Sequence, residues 1–426
     1  MMHSVSKAHR FAGNASIPAD KSIAHRAALF ASIANGISTL VNFPQSQDPQ
    51  STLSCLKQLG VPIRVFSDHT VIIEGVGRNG FCKPENPLDC GNSGTTMRLL
   101  SGMLVGQTFG CELVGDASLS TRPMGRIAEP LTAMGANITL VDGHAPIRIQ
   151  PAERISSIDY SLPVASAQVK SCVLLAGLWA NGRIVVRESI ASRDHTERML
   201  DLPVSRSDHQ ILIYSDASLP IPHGTVVLPG DFSAAAFILV ATSILGTAQV
   251  HLPKIGLNPS RTGLLDVLQR MGAKIKIENV SSSEIEPFGD LTAERSRLNG
   301  ISITGDQIPN IIDEIPIIAV AGAFAKGITT VRDAEELRHK ECDRIDAIVN
   351  NLKILGAEIE EFEDGFAITG GTPLKGNTVS SYHDHRIAMA MAIAGLASEG
   401  TTTIQDADAT SVSFPQFWET LDSLQK

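Results

Sequence analysis

An α/β protein of two similar domains is what the sequence predicts, and three observations carry that prediction. A helix-length apolar run, a Gly and a β-branched run recur in that order six times along the chain. Several recurrences go on to a second helical segment that closes on "MGA" or "LGA" before another strand. Three of the six lie before about residue 228 and three after it, where Pro229 and Gly230 punctuate "VVLPGDFSAA".

The recurring element begins as "HRAALFASIANGISTLVNFP". It returns as "TMRLLSGMLVGQTFGCELVGD", "VKSCVLLAGLWANGRIVVRES", "DFSAAAFILVATSILGTAQVHLP", "IPIIAVAGAFAKGITTVRDAE" and "HRIAMAMAIAGLASEGTTTIQDAD". The turn glycines are Gly36, Gly110, Gly182, Gly246, Gly327 and Gly400, spaced too widely for a common solenoid, so each recurrence is a whole module. A left-handed Gly is expected at each, where a helix ends and the chain reverses into a strand. The closing helices are "PLTAMGANITLV", "VLQRMGAKIKIE" and "NLKILGAEIEEF", with "CLKQLGVPIRVF" as a variant; the third and sixth modules lack this element.

Composition limits what such a protein does. At 426 residues, 43% hydrophobic and 19% charged, the chain can bury two sizeable cores. A formal charge of −10 argues against a general binder of nucleic acid or anionic membrane, which needs a summed positive field. The N-terminal "MMHSVSKAHRFAGNAS" has no apolar signal core, so a cytoplasmic protein is expected. The uncharged stretch Phe232 to Pro253 is expected to be a buried helix and a strand rather than a membrane span. The six cysteines form no CxxC pair and are expected to be buried, reduced thiols.

Cations on this acidic chain fall at particular places. In "PADKSIAHRAAL", Pro18 and Asp20 suit a helix start, with Lys21, and with Ser22 and Arg26 on one helical face. A hydroxyl, a guanidinium and first-turn N–H groups hold phosphate or carboxylate well. In "LDCGNSGTTMRLL", Asn92, Ser93, Gly94 and Thr95 precede a helix carrying Arg98, and Gly94 lets an oxyanion approach the backbone. Arg122 precedes a Pro in "LSTRPMGRI", so its backbone is extended and stiff. "PVASAQVKS" places Ser166, Gln168 and Lys170 before the third apolar helix, and "SRDHTERML" adds Arg193 in a charged loop.

The second half contributes acids as well. Asp313 and Glu314 in "NIIDEIPIIAV" flank an apolar helix start, and Lys340, Glu341 and Arg344 in "ELRHKECDRIDAI" fall within about one turn. Carboxylates beside cations suit general acid/base work. "YHDHRIAMAM" brings His383, Asp384, His385 and Arg386 to the sixth helix; its His-x-His pair has no third ligand nearby, so no metal is expected. With the two domains facing each other, six helix N-termini would point into one cleft with Lys21, Arg26, Arg122, Arg193, Lys340, Arg344 and Arg386, a focused positive pocket.

Taken together, "DKSIAHRAAL", "LDCGNSGTTMRLL", "GDASLSTRPMGRI", "SAQVKSCVLLAGL", "SRDHTERML", "IDEIPIIAV", "LRHKECDRI" and "HDHRIAMAMAIAGL" resemble, in order and over essentially the whole chain, the 5-enolpyruvylshikimate-3-phosphate synthase family. The resemblance implies two inside-out α/β domains, each of three βαβαββ repeats around parallel helices, divided as 1–19 with 229–426 and as 20–228, with the substrate site between them. It implies transfer of the enolpyruvyl group of phosphoenolpyruvate to shikimate 3-phosphate by a monomer, without metal or organic cofactor.

By the same resemblance Lys21, Ser22, Arg26, Ser166, Gln168, Arg193, Asp313 and Lys340 are implied contacts of shikimate 3-phosphate. Lys21, Asn92, Gly94, Arg122, Gln168, Arg344 and Arg386 are those of phosphoenolpyruvate. Asp313, Glu341 and Lys21 are the implied catalytic set. "HTERML" and "KECDR" look more like the second class of the family, and Val412 stands where some members carry a Lys before "FP". Two other readings are the sister transferase acting on UDP-N-acetylglucosamine and a non-catalytic repeat protein binding phosphorylated ligands. The first usually has a Cys before the Arg-Pro pair, and none lies between Cys111 and Cys172. Against the second stand Asp313, Lys340 and Glu341, since carboxylates give simple anion binding no benefit.

Overall fold

A computed structural model describes residues 1–208, 210–281 and 285–426. The chain forms two compact units, Met1–Pro18 with Pro229–Lys426, and Ala19–Leu228. Ala19 therefore falls in the second unit, one residue from the expected boundary.

At the centre of the second unit are the helices Lys21–Ile33, Gly94–Leu104 and Ala167–Ala176. Every residue from Ile23 to Ile33 is buried. A helix buried on all sides has no face to give to water, so the strands must wrap around it. Three four-stranded sheets do so. Thr225–Val227, Ile37–Val41, Val71–Glu74 and Ile63–Val65 make the first, in that order. In each sheet the first pair is parallel and the other two are antiparallel.

The first unit repeats the plan around Phe232–Ile244, Ile315–Ala323 and His385–Ala397. Each unit is thus an inside-out α/β body, with βαβαββ repeats around parallel helices. Phe232–Ile244 ends before the strand Thr247–Gly256, and among the described residues no helix is long and apolar enough to cross a membrane.

The two modules without a closing motif differ in how they finish. In the third, the second helix shrinks to His195–Met199, but the hairpin of Val204–Ser207 and Gln210–Ser215 still forms. In the sixth, the place of the returning strand beside Thr401–Gln405 is taken by His3–Ser6, which pairs antiparallel from His3 opposite Ile404 to Ser6 opposite Thr401. The left-handed glycine expected at every module turn is found at Gly182, Gly327 and Gly400 only. Gly36, Gly110 and Gly246 are not left-handed, and a Cβ on Gly36 or Gly110 would meet only the exposed side chains of His223 or Gln150, at 2.5 Å. Cys82 also departs from expectation, being exposed, whereas Cys55, Cys90 and Cys172 are buried.

Two features set the positions of the central helices of the second unit. Gly102 lies where the Gly94 helix meets the Ala167 helix, and a Cβ there would lie 2.2 Å from the Cys172 carbonyl oxygen. The second is a buried polar thread. His25 Nδ1 lies 2.6 Å from Thr52 Oγ1, Thr52 Oγ1 lies 2.7 Å from Thr96 Oγ1, and the Thr96 hydroxyl donates to Ser93 Oγ at 2.8 Å. Thr52 belongs to the helix Gln47–Gln58, so three helices are tied through side chains that no water reaches. Burial, with Lys21 and Arg26 nearby, pushes the His25 pKa well below its ordinary 6.5.

Gly102→Ala is expected to cost about 3 kcal/mol in urea unfolding, because the new methyl meets a backbone carbonyl that cannot swing away. A loss under about 0.5 kcal/mol would show that the two helices can separate freely. His25 remains neutral when folded but takes a proton below pH 6.5 when unfolded, so the unfolded state binds more protons and stability falls with pH in that range. The wild type should lose about 1.4 kcal/mol per pH unit below 6.5 more than His25→Gln does; equal slopes would remove His25 from the acid response.

Candidate active site

The Ala19–Leu228 unit gathers most of the candidate residues at its helix N-termini. Asp20 caps the Lys21 helix by accepting the Ile23 N–H at 2.9 Å, and Lys21 Nζ donates to Asp48 Oδ2 at 3.1 Å. Arg26, one turn on and 3% exposed, donates from Nε to Thr196 Oγ1 at 2.7 Å, from Nη2 to Ser171 Oγ at 2.9 Å and from Nη1 to the Ser22 carbonyl at 3.0 Å. It is braced within its own unit far more than a surface cation would be. Ser166 caps the Ala167 helix, and Arg193 is half-buried in the loop before His195–Met199.

Ser93 caps the Gly94 helix, and around it stands a second group. Arg122 Nη2 donates to Asn92 Oδ1 at 2.6 Å and to Ser118 Oγ at 3.3 Å, while Asn92 Nδ2 donates to Asp116 Oδ2 at 2.8 Å. Gln168 accepts from Arg98 Nη1 and donates to Thr95 Oγ1 at 3.0 Å, joining the ends of two helices. A Cβ on Gly94 would lie 2.8 Å from Arg98 Nη1 and 3.6 Å from Arg122 Nη1, so bare backbone sits beside two guanidinium groups. Arg98 was not among the expected site residues. The signal was present, since Arg98 follows Gly94 by four and shares its helical face.

The other unit holds Asp313, Lys340, Glu341, Arg344 and Arg386. Arg344 is 1% exposed and donates from Nε to Asp384 Oδ2 at 2.8 Å, from Nη1 to Asp313 Oδ1 at 3.3 Å and from Nη2 to Glu341 Oε2 at 2.6 Å. Burial works against its charge, but these three carboxylates outweigh burial and raise its pKa further. Arg386 lies 3.5 Å from Asp313 Oδ2 and 3.7 Å from Glu314 Oε1, and donates to the Asp313 carbonyl at 3.0 Å. Asp384 also caps the His385 helix through the Arg386 N–H, at 2.7 Å. Burial lowers the Lys340 pKa from the ordinary 10.5, against the pull of Asp313, Glu336 and Glu341.

Three expectations need correction. Lys340, Glu341 and Arg344 do not share a helical turn: Asp343 caps a helix that starts at Arg344, and Lys340 to Cys342 form the bend before it. Gln168 and Lys170 do not precede the third helix but lie inside it, Gln168 in its first turn and Lys170 fully buried between Glu188 and Glu197. Arg344 is not a bare contribution to a positive pocket, because carboxylates of its own unit surround it. Val412 ends the short 3-10 turn Ala407–Val412, half-buried, and His383 is exposed 3.8 Å from Asp406 Oδ2. Among the described residues no group of three or more His, Cys, Asp or Glu is placed to hold a metal ion.

Comparison with known proteins gives this arrangement a family. A family model described as EPSP synthase (3-phosphoshikimate 1-carboxyvinyltransferase) matches residues 5–421. A 3-phosphoshikimate 1-carboxyvinyltransferase of Salinibacter ruber is 54% identical over 426 residues, covering 99% of each chain. One of Bacillus cereus is 47% identical over 422 residues, covering 97% of each. A solved EPSP synthase from Acinetobacter baumannii superposes with a TM-score of 0.88 at 40% identity, over 99% of this chain and 98% of that one. The enolpyruvyl transferase NikO from Streptomyces tendae, at 16% identity and a TM-score of 0.78 over 99% of this chain and 97% of its own, shares the fold. Full-length agreement in sequence and in structure leads to one conclusion: the chain belongs to the EPSP synthase family, the 3-phosphoshikimate 1-carboxyvinyltransferases.

Proposed function

We propose that the chain transfers the enolpyruvyl group of phosphoenolpyruvate to the 5-hydroxyl of shikimate 3-phosphate, a step of aromatic amino-acid biosynthesis, with the roles assigned below. The observation that carries these roles is the grouping of Asp313, Glu341 and Lys340 around Arg344 and Arg386, since acids, a lysine of lowered pKa and guanidinium groups answer the separate needs of the reaction.

The reaction is an addition followed by an elimination. A proton goes to the enol methylene, which becomes a methyl group and leaves an oxocarbenium-like carbon. The 5-hydroxyl loses its proton and its oxygen bonds to that carbon, giving a tetrahedral ketal. The carbon–oxygen bond to phosphate then breaks as the methyl group returns a proton, and inorganic phosphate leaves with the enolpyruvyl ether formed.

Asp313 is the base at the hydroxyl, with Lys340 beside it. Glu341 or Lys21 serves the methylene. Arg122, Arg344 and Arg386, with Asn92, Gly94 and Gln168, take the carboxylate and phosphate of phosphoenolpyruvate, since the guanidinium fork can donate to two oxygens of either anion at once. Ser22, Arg26, Ser166, Gln168 and Arg193 take shikimate 3-phosphate, and Lys21 reaches both substrates. The enzyme is read as a cytoplasmic monomer acting on two small molecules.

Protein given both substrates should release phosphate and form a product of the enolpyruvyl ether's mass; release with UDP-N-acetylglucosamine alone would overturn the reading. Asp313→Asn should lower kcat by roughly 100-fold or more, the usual contribution of a general base, and near-normal turnover would remove it from that role. In the pH–rate profile, the basic limb should begin below the ordinary lysine value of 10.5 and vanish in Lys340→Met; a limb unchanged in that variant belongs to another group.

A further inference from the structure

Lys170 is a fully buried charge of the second unit that the reaction does not use. Its Nζ lies 2.9 Å from Glu188 Oε2 and 2.6 Å from Glu197 Oε1, and donates to the Ser192 carbonyl at 3.3 Å. Ser192 Oγ in turn donates to Glu188 Oε1. Lys170 is 0% exposed, Glu188 2% and Glu197 6%.

These partners are not scattered. Glu188 ends the strand Ile184–Glu188, Ser192 sits in the following loop, and Glu197 lies in the helix His195–Met199. One ammonium group therefore grips a ten-residue segment at both ends and in the middle, and Arg193 is next to the middle grip. The neighbours in sequence of the same ion pair hold a second cation. Ser171 follows Lys170, Thr196 precedes Glu197, their hydroxyls lie 2.7 Å apart, and both accept from Arg26. Arg26 and Lys170 balance Glu188 and Glu197, four charged groups summing to zero. Burial pushes the Glu197 carboxyl up against the pull of Lys170.

Energetics point to geometry rather than to stability. Desolvating an ammonium and two carboxylates offsets most of their mutual attraction, so apolar or neutral groups of similar size often fold as well; a buried ion cluster instead fixes direction and spacing. Arg193 and Arg26 come from distant parts of the chain, and each is placed through a residue adjoining the Lys170 cluster.

We propose that Lys170 is a positioning residue for the phosphorylated acceptor: with Glu188, Ser192 and Glu197 it sets Arg193 and Arg26 at the spacing that acceptor needs, without touching it. This rests on the acceptor contacts assigned above and adds Lys170, Glu188 and Glu197 to them.

The full chain with Lys170→Met is assayed for phosphate release, alongside Lys170→Met/Glu188→Gln/Glu197→Gln, in which neither acid is left charged without the lysine and Arg26 keeps its charge for the acceptor's anion, and Leu113→Ala, a core truncation in the same unit. KM for shikimate 3-phosphate should rise roughly 10- to 100-fold in the single and triple variants, as expected when binding groups shift by about an ångström. KM for phosphoenolpyruvate, and kcat at saturating acceptor, should change less than about threefold; Leu113→Ala should lower Tm and leave all three constants near wild type. If the single variant fails to fold, the triple variant decides alone. An acceptor KM near wild type in the triple variant, or KM values for both substrates rising together, overturns the assignment of Lys170. An inactive wild type in the same assay overturns the reaction itself, so the two failures are distinct.

Discussion

Helices with no face for water impose the main constraint on this protein. From Phe232 to Ser243, and from Ile315 to Ala323, every residue is buried, so such helices can only be surrounded. Once strands enclose them, helix sides have no access to solvent and chemistry is left to the ends. N-termini are the useful ends, because their N–H groups and aligned peptide dipoles favour anions. Asp20, Ser93, Ser166, Asp231 and Asp384 cap five of the six central helices with side-chain oxygens, and the candidate residues stand within a turn or so of these caps or in loops beside them.

How the cations are held differs between the units. Arg26 and Arg122 donate to hydroxyl, amide and carbonyl oxygens, which fix the direction of a guanidinium. Arg344 is instead wrapped by three carboxylates, which hold it rigid and also hold the acids in place. The first manner suits recognition of an anion. The second suits a site where a carboxylate must stay aimed while protons move, because Asp313 and Glu341 cannot turn without breaking a contact to the same guanidinium.

The repeat and the helix starts at Asp20 and before Arg386 were legible because each depends on neighbours within a turn or two. Contacts between distant segments were not. Nothing near His3 announces that it pairs with Ile404, and nothing in "AQVKSC" says that Lys170 points inward to acids 18 and 27 residues on. Arg98 was visible as the fourth residue after Gly94 but was read as part of the helix. The glycines divide the same way: left-handed turns follow from local geometry, whereas the tight space at Gly102 depends on the Cys172 carbonyl, far along the chain.

The strand His3–Ser6 has a consequence for the order in which the protein can be made. Residues 19–228 are contiguous, so their unit has its whole sequence once the ribosome has passed Leu228. The other unit begins earlier yet must wait, because the sixth sheet needs Thr401–Gln405 before His3–Ser6 has a neighbour to pair with. Closing a loop of some four hundred residues is slow in a bare chain, but an already folded insert shortens the effective path between its two ends. Folding of the middle segment thus precedes, and shortens the search for, the pairing that completes the outer unit.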